Sequence, residues 1–397
     1  MNTISERLSR LSSSETLAMS QKSNELKSQG VNVINLSVGE PDFNTPLHIK
    51  EAAKKAIDEN FSFYSPIAGY LDLRNAICEK LKKENDLEFD PNQIVCSNGA
   101  KQSICNLILA LINKGDEVII PAPYWVSYPE MVKLAEGFPV FIETDISHDF
   151  KITPSQLEDA ITPNTKALIL CSPCNPTGSI YSDTELKALA SILIKHPDII
   201  IISDEIYEHI NYTNKHQSIA QFTELQDRVV IVNGVSKCYA MTGWRIGWLA
   251  APQWIATACI TLQGQYTSGP SSISQKASLA AYTGNQDCVE TMRQAFERRK
   301  KLIVTLLGEI PGLIVNNPQG AFYIFPQCDY YYGKSYQGRE IKDSTDLAMY
   351  LLDVAHVACV GGKAFGAPQY IRLSYATSDE NIVQAISRLK DAFAKLE

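Results

Sequence analysis

The sequence predicts an α/β protein: a large domain with a mostly parallel, seven-stranded sheet covered by helices, and a small α+β domain built from both chain ends. Between about residues 93 and 250, short runs rich in Ile and Val alternate with amphipathic helical segments, as expected for parallel strands that are buried on both faces. After about residue 285, one long helical segment is followed by isolated strand-like runs and further helices, which indicates a second domain.

Seven segments are predicted as strands of the large sheet, because each is a short apolar run bounded by turn residues. In chain order they are QIVC, DEVIIPAP, FPVFIET, TKALILCSP, DIIIISDE, RVVIVNGV and WRIGWLAAP. The segments KQSICNLILALI and TELKALASILIKH are predicted as helices between them, since their apolar residues recur at helical spacing. Ligands of such open sheets bind beyond the carboxyl ends of the strands, so the polar residues found there are the candidate site.

The C-terminal part follows an α+β pattern. The predicted helices are QDCVETMRQAFERRKKLIVTLLGEI, DSTDLAMYLLDVAH and DENIVQAISRLKDAFAKLE, and the strand-like runs are GLIVNN, AFYIFPQ, VACVGGKAFG and YIRLSYA. We expect residues 1–46 and 285–397 to form the small domain and residues 47–284 the large one. The Tyr-rich stretch 327–344 has no predicted role, and a surface loop is the default expectation.

Composition excludes several classes of protein. The chain has 397 residues, 45% of them hydrophobic, and a net charge of −8, which argues against both a disordered chain and a dedicated nucleic-acid binder. The longest apolar runs, such as 107–112 and 199–202, are far below the roughly 18 residues that indicate a membrane span. Ten scattered cysteines with no apolar secretory segment before them predict a reduced, cytoplasmic protein.

Cys171 and Cys174 form a Cys-x-x-Cys motif, which alone could indicate a redox or half-zinc site. No second Cys pair accompanies it, and the nearest histidines, His148 and His196, are about two dozen residues away. We therefore predict no metal site and interpret the two thiols as incidental.

The polar residues at the predicted strand ends suggest an anion site and an activated amine. Residues 97–102, SNGAKQ, form a small-residue turn that opens a helix, whose N-terminus favours anions; there is no G-x-G-x-x-G or Walker pattern. Asp204 and Tyr207 are three residues apart, so they would share a face if a helix begins here. The alternative is that Asp204 is a helix N-cap and Tyr207 a core aromatic residue. Lys237 stands among small and apolar residues with Arg245 nearby, which favours a lowered pKa, although a surface lysine is the alternative.

Together, the segments SPCNPTG, SDEIYEHI and SKCYAMTGWRIGW resemble those of class I, fold-type I pyridoxal-phosphate-dependent aminotransferases in order and spacing. The resemblance extends from NLSVGEPDF and YSPIAGYLDLR to YIRLSYATS, and YWVSYPEMV is similar to the bacterial-type aspartate aminotransferase branch. It implies pyridoxal 5′-phosphate as the cofactor. Such a cofactor needs a Schiff-base lysine, an acidic partner for its pyridine nitrogen and a cradle for its phosphate.

The resemblance also implies a role for each candidate residue. Lys237 would be the Schiff-base lysine and general base, and Asp204 the partner of the pyridine nitrogen. At the cofactor ring, Tyr207 and Asn175 would contact the ring oxygen, and Trp125 would stack on the ring. The phosphate contacts would be the backbone of Gly99, Ala100 and Lys101, the side chains of Ser236 and Arg245, and Tyr64 from a neighbouring subunit. The substrate contacts would be Arg372 and the main chain of Gly39 at the α-carboxylate, Trp125 and Asn175 beside it, and the Lys101 side chain at a distal carboxylate.

The function that follows from the resemblance is transamination between L-aspartate and 2-oxoglutarate by a ping-pong mechanism, in a homodimer with shared sites. Prephenate, aromatic amino acids or alanine remain alternative substrates, because substrate choice depends on a few contacts. A lyase or synthase of the same fold is a more remote alternative. A regulatory aminotransferase-like domain would need a helix-turn-helix, and about 40 residues before SVGEPDF are too few for one.

Overall fold

The computed structural model describes residues 4–12, 15–213 and 215–397. The α-helices of these residues are α1 (Glu6–Ser9), α2 (Glu15–Ser28), α3 (Leu47–Asp58), α4 (Leu71–Asn85), α5 (Ala100–Leu111), α6 (Ser127–Leu134), α7 (Pro154–Ala160), α8 (Asp183–Leu193), α9 (Gln253–Tyr266), α10 (Ser272–Thr283), α11 (Asp287–Leu307), α12 (Ser344–Ala355) and α13 (Asp379–Phe393). The strands are β1 (Ile34–Asn35), β2 (Ile94–Ser97), β3 (Glu117–Ala122), β4 (Phe138–Glu143), β5 (Thr165–Cys171), β6 (Ile200–Asp204), β7 (Val229–Gly234), β8 (Gly247–Ala250), β9 (Tyr323–Ile324), β10 (Ser335–Tyr336), β11 (Arg339–Glu340), β12 (Val357–Ala358), β13 (Val360–Gly361) and β14 (Ile371–Ser374). Short 3₁₀ helices cover Pro91–Gln93, Ile146–His148, Ile219–Gln221, Thr223–Leu225, Thr242–Trp244, Asp329–Tyr331 and Gly362–Phe365.

The large sheet has seven strands in the order β2-β8-β7-β6-β5-β3-β4. β8 is antiparallel to both of its neighbours, and every other pairing in the sheet is parallel. The central strands are buried on both faces: in β6, Ile201 packs into one apolar cluster and Ile202 into the cluster on the opposite side. The predicted fold class, a mostly parallel seven-stranded sheet between helices, is confirmed.

Helix α8 begins where its sequence indicates. The hydroxyl of Ser182 accepts a hydrogen bond from the Glu185 backbone N–H, and the Glu185 carboxylate accepts one from the Ser182 N–H. This reciprocal capping satisfies two N–H groups that have no partner inside the helix.

The two ends of the chain meet in the small domain. β1 runs parallel to β12, with Ile34 opposite Val357, and β13, β14 and β9 form a separate antiparallel sheet. Helices α11, α12 and α13 share one apolar cluster with residues of β1 and β9. This agrees with a small α+β domain made from both ends, while the limits at residues 46 and 284 stay predictions. The run GLIVNN forms no strand and contributes one isolated bridge, between Ile314 and Gln327.

The Tyr-rich stretch is more ordered than the surface loop we expected. Tyr331 is buried, with its ring centroid 4.4 Å from that of Phe393, and its hydroxyl donates to the Pro311 carbonyl. β10 and β11 form a hairpin whose two turn residues, Gln337 and Gly338, have φ of 49° and 77°, as tight hairpin turns require. The segment therefore anchors to α13 through a core tyrosine, which its composition did not reveal.

A buried ion pair joins α4 to the segment after β6. The Lys80 ammonium donates to the Glu208 carboxylate and, at 2.8 Å, to the Asn85 amide oxygen, while Asn85 donates to the other Glu208 oxygen at 3.0 Å. Each side chain of the ion pair is only 4% exposed. Burial raises the pKa of Glu208, but Lys80 and nearby His209 and His216 outweigh it, so the pKa lies well below its usual range.

None of the described helices combines the length and the apolar composition needed to cross a membrane.

Candidate active site

A pocket lies beyond the carboxyl ends of β5, β6 and β7, beside the N-terminus of α5. It is lined by most of the residues that the sequence singles out: Gly39, Ala100, Lys101, Trp125, Asn175, Asp204, Tyr207, Ser236, Lys237, Arg245 and Arg372. Gly99 borders it through contact with Arg245. Tyr64 does not line the pocket and is 97% exposed, so its role toward another subunit stays a prediction.

Lys237 follows β7 and points into the pocket rather than into solvent. Its Nζ donates to the Gly39 carbonyl oxygen at 2.7 Å. Burial lowers the pKa of Lys237 to about 8; Glu40 opposes this shift, and the positive charges of Arg245 and Arg372 reinforce it. The surface-lysine alternative is therefore wrong, and the amine is neutral in a larger fraction of molecules than a free lysine at the same pH.

Asp204 is the last residue of β6, and turns rather than a helix follow it, so the N-cap alternative is wrong. Its Oδ2 accepts a hydrogen bond from the Tyr128 hydroxyl at 2.5 Å, and its Oδ1 accepts one from the Ile206 backbone N–H at 3.3 Å. Burial raises the pKa of Asp204 to about 6, and the bond from Tyr128 opposes that rise. The carboxylate thus faces the pocket as a fixed, mostly ionised acceptor at neutral pH.

Tyr207 joins the pocket to the small domain. Its ring packs edge-on against Phe322, as a core aromatic would, and its hydroxyl lies 2.7 Å from the Tyr323 hydroxyl. Tyr323 also approaches the N-terminal segment: a Cβ at Gly39 would lie 2.1 Å from its hydroxyl oxygen. Glycine at position 39 is what allows this approach.

The N-terminus of α5 and Arg245 form an anion-binding corner. Gly99, the residue before the helix, has φ of 86° and offers no side-chain cap, and the first turn has no acidic residue. Arg245, itself at φ of 57°, donates to the carbonyls of Thr242 at 3.0 Å and Asn98 at 3.1 Å. A Cβ at position 99 would lie 2.2 Å from Arg245 Nη2, so only glycine leaves this corner open.

The three backbone N–H groups of the predicted phosphate cradle differ in their partners, and their contacts to a phosphate stay predictions. The Gly99 N–H donates to the Ser97 carbonyl at 2.7 Å and is therefore engaged in the turn. The first-turn N–H groups of Ala100 and Lys101 have no carbonyl one turn earlier in the helix, so they remain the donors for an anion, with Ser236 also lining this part of the pocket.

Arg372, on β14, is a buried cation with no carboxylate partner among the described residues. It donates to Asn175 Oδ1 at 2.9 Å and to the Ser37 carbonyl at 2.5 Å. Its guanidinium carbon lies 4.6 Å from the Tyr323 ring centroid, and its Nε is buried without a hydrogen-bond partner. Burial lowers the pKa of Arg372, yet a guanidinium stays charged, so the site is built to receive an anion.

Lys101 and Trp125 line the pocket next to each other. The Lys101 Nζ lies 5.1 Å from the Trp125 ring centroid, and the Trp125 ring packs edge-on against Tyr128 with centroids 5.3 Å apart. Lys101 thereby adds a further cation to the pocket that holds Arg372 and Arg245.

Nine residues that line the pocket were not predicted as site residues from the sequence: Thr16, Leu17, Val126, Ser127, Tyr128, Cys171, Ile206, Thr242 and Tyr323. Tyr128 and Tyr323 belong to segments whose aromatic residues also suit a core, so their pattern did not distinguish a polar role. Thr242 stands inside the quoted segment SKCYAMTGWRIGW, and its hydroxyl donates to Glu40.

Comparison with known proteins decides the family. The sequence pattern described as aminotransferase class I and II matches residues 31–389. The chain belongs to this aminotransferase family. It is 47% identical over 390 residues to an aspartate/prephenate aminotransferase of Nitrosomonas europaea, covering 97% of this chain and 98% of the relative. It is 46% identical over 389 residues to the aspartate aminotransferase of Bacillus subtilis, covering 98% of both chains.

Solved structures agree with this assignment. The aspartate aminotransferase of Rhizobium meliloti superposes with a TM-score of 0.96 at 42% identity, covering 100% of both chains. That of Thermus thermophilus with maleate superposes with a TM-score of 0.92 at 40% identity, covering 99% of this chain and 100% of that one. In this aminotransferase, the site that holds the Lys237 amine also holds the buried Arg372 guanidinium, which has no carboxylate partner within the described part of the chain.

Proposed function

We propose that this aminotransferase transfers the amino group of L-aspartate to 2-oxoglutarate, giving oxaloacetate and L-glutamate, with pyridoxal 5′-phosphate as its cofactor. The observation that carries the proposal is the pair of cations, Arg372 and Lys101, in the pocket that holds the Lys237 amine. Both substrates have two carboxylates, one next to the reacting carbon and one distal to it. The names of the relatives from Bacillus subtilis and Nitrosomonas europaea support the choice of aspartate.

The pocket residues fit pyridoxal phosphate. The corner formed by Arg245, Gly99 and the start of α5 suits a phosphate, because it combines a cation, free N–H donors and space that a Cβ would fill. Asp204 is a buried carboxylate that would pair with a protonated pyridine nitrogen, and the opposite charge would lower its raised pKa. Trp125 would cover the ring. When bound, this cofactor supplies a reactive aldehyde and a ring that withdraws electrons from the substrate.

The protein's own residues would divide the work as follows. Arg372 holds the α-carboxylate by its guanidinium, a fork geometry that lysine cannot reproduce. Lys237, as the neutral amine, would take the proton from the substrate's α-carbon and would later give it up on the cofactor side of the reacting bond. Asp204 keeps the pyridine nitrogen protonated, and the hydroxyl of Tyr207 and the amide of Asn175 would donate to the ring oxygen. A second oxo acid then reverses the steps.

We also propose a cytoplasmic homodimer with shared active sites. Tyr64 is 97% exposed and its neighbour Phe63 is 81% exposed, which is unusual for large side chains and suits burial against another subunit. All ten cysteines are free, which suits a reducing compartment. Sedimentation analysis tests the dimer, and we expect Tyr64→Phe to weaken cofactor affinity without dissociating the subunits. A monomer at micromolar concentration would contradict the proposal.

The first experiment tests the covalent role of Lys237. Apoprotein mixed with pyridoxal phosphate is expected to absorb visible light, and borohydride reduction followed by peptide mapping should find the added mass on Lys237. Lys237→Ala should abolish both signals, whereas the surface variant Lys114→Ala should keep them. A colourless mixture, or label on other lysines only, would overturn the assignment.

The second experiment tests the two carboxylate contacts. Arg372→Ala should raise KM severely for every amino acid, whereas Lys101→Ala should impair aspartate far more than alanine, because alanine lacks the distal carboxylate. Equal effects of Lys101→Ala on the two substrates would contradict its proposed role. Arg372→Lys keeps the charge but not the fork, so it should recover only part of the loss.

Prephenate is the second candidate substrate. The relative from Nitrosomonas europaea is named for both aspartate and prephenate, and prephenate also carries two carboxylates. Steady-state kinetics with aspartate, prephenate, an aromatic amino acid and alanine separate the alternatives. Inert aspartate would exclude the leading proposal, and a product formed without glutamate would favour a lyase.

A further inference from the structure

Cys171 and Cys174 lie directly behind the active site. Cys171 is the last residue of β5, paired in register with Asp204 of β6, and it lines the active-site pocket. Cys174 immediately precedes Asn175, and both cysteines line one small cavity together with Tyr128. Both residues are half-buried and free, so the pair is enclosed without being sealed in the core.

The two thiols line one small cavity, which they share with Tyr128. The Cys171 thiol donates to the carbonyl oxygen of Pro173, the residue before Cys174, at 3.5 Å, and the Cys174 thiol donates to the carbonyl oxygen of Pro123 at 3.9 Å. Both thiols therefore open onto the same enclosed space, three residues apart along the chain.

The electrostatics of the two sulfurs differ. The hydrogen bonds from Cys171 and Thr177 lower the pKa of Cys174, whereas the bond to Cys174 and burial raise the pKa of Cys171. Every other cysteine with a shifted pKa is shifted upward, by burial: Cys78, Cys96, Cys105, Cys259, Cys288, Cys328 and Cys359. Cys174 is thus the thiol with the best-stabilised thiolate, the form that attacks disulfides.

We propose that Cys171 and Cys174 form a redox-active dithiol, which a low-molecular-weight disulfide such as oxidised glutathione converts reversibly into an intramolecular disulfide. The Cys174 thiolate attacks one sulfur of the small disulfide and releases one thiolate. The Cys171 thiol, losing its proton, then attacks the Cys174 sulfur and releases the second. Two electrons and two protons pass from the protein dithiol to glutathione, which leaves as two reduced thiols.

The new bond would act on the substrate site through Asn175. This residue follows Cys174 directly, and its Oδ1 accepts a hydrogen bond from Arg372 Nη1 at 2.9 Å. Drawing the Cys174 sulfur toward β5 shifts the backbone that carries Asn175, and thereby the guanidinium proposed to bind the α-carboxylate. We expect oxidation to raise KM for the amino acid at least about fivefold, with a smaller change in kcat. This consequence rests on the proposed function; the disulfide itself does not.

Thiol mapping tests the disulfide independently of activity. Native reduced protein is incubated with oxidised glutathione, quenched in acid, alkylated and digested. The peptide containing residues 171–174 should have lost two hydrogens and escaped alkylation, and dithiothreitol should reverse both changes. Cys171→Ser should accumulate a glutathione adduct on Cys174, since the resolving thiol is gone, and Cys174→Ser should form neither product. Cys288→Ser, which removes another half-buried thiol, should behave as the unaltered protein.

The outcomes separate the two parts of the proposal. Alkylation of both Cys171 and Cys174 after oxidant treatment, or a disulfide joining other cysteines instead, would overturn the dithiol. The coupling to the substrate site is refuted if the disulfide forms but oxidation changes KM by less than twofold, and by the same factor in Cys174→Ser as in the unaltered protein. A disulfide in a protein that lacks transaminase activity would sink the proposed function and leave the dithiol standing.

Discussion

Replacing Tyr128 by phenylalanine removes one hydrogen bond and leaves the packing of the ring. The lost bond is the 2.5 Å contact from the Tyr128 hydroxyl to Asp204 Oδ2, in a place where both side chains are buried. A hydrogen bond to a charged group contributes about 1.5–3 kcal/mol, and without it the pKa of Asp204 rises further above 6. Less of the carboxylate is then ionised at neutral pH, and its pairing with a protonated ring nitrogen weakens. We expect the Kd for pyridoxal phosphate to rise about 10- to 150-fold.

The assay is cofactor binding to apoprotein, followed by quenching of tryptophan fluorescence. The loss should be smaller at pH 9 than at pH 7, because a higher pH ionises Asp204 in the variant as well. A cofactor analogue with CH in place of the ring nitrogen should bind both proteins equally. Tyr124→Phe serves as the control, since the Tyr124 ring stacks on Phe141 and the hydrogen bonds to the Asp204 carboxylate come from Tyr128 and Ile206 instead. A Kd within threefold of the unaltered protein, or an equal loss with the analogue, would refute the reasoning.

Three further predictions follow from the geometry. Gly99→Ala forces φ of 86° on alanine and places a Cβ 2.2 Å from Arg245 Nη2, so the free energy of unfolding should fall by about 1–2 kcal/mol. Inorganic phosphate should then no longer protect the apoprotein against thermal unfolding. Unchanged protection by phosphate would contradict the anion-binding corner. Lys80→Met leaves a buried carboxylate unpaired and should cost about 3–5 kcal/mol in urea unfolding, whereas the exposed Lys82→Met should change little. The rate of acylation of Lys237 in the apoprotein should increase about tenfold per pH unit and level off near pH 8, because only the neutral amine reacts. If the rate instead keeps increasing up to about pH 10, as for an ordinary lysine, burial does not lower the pKa of Lys237.

Much of this site could be predicted because strand ends carry its polar groups. Asn175 and Asp204 follow continuous apolar runs that fit only buried strands, so their place at one edge of the sheet follows from the fold. Lys237 is recognisable by its small and apolar surroundings. Arg372 is different: its strand lies far along the chain and reaches the pocket only through the packing of the small domain, so the resemblance to a family was needed to find it.

The residues that were missed show why a pattern is not enough. The hydroxyl of Tyr128, on α6, meets Asp204, at the end of β6, only through tertiary packing, and nothing in the spacing of YWVSYPEMV distinguishes that hydroxyl from a core tyrosine. Tyr323 meets Tyr207 across the two domains, a contact that depends on tertiary packing alone. The run GLIVNN is apolar enough for a strand, yet Ile314 is 56% exposed and lacks a continuous partner.

The pairing of β1 with β12 has a consequence for how the chain folds during synthesis. Ile34 is synthesised about 320 residues before its partner Val357, so β1 cannot pair until the intervening chain has been made. The seven strands of the large sheet lie between residues 94 and 250 and can assemble first. The carbonyls of Ser37 and Gly39, which receive Arg372 and Lys237, directly follow β1. The pocket can therefore close only after β12 has been made, and a nascent chain that ends before it would hold Lys237 without the groups that orient it.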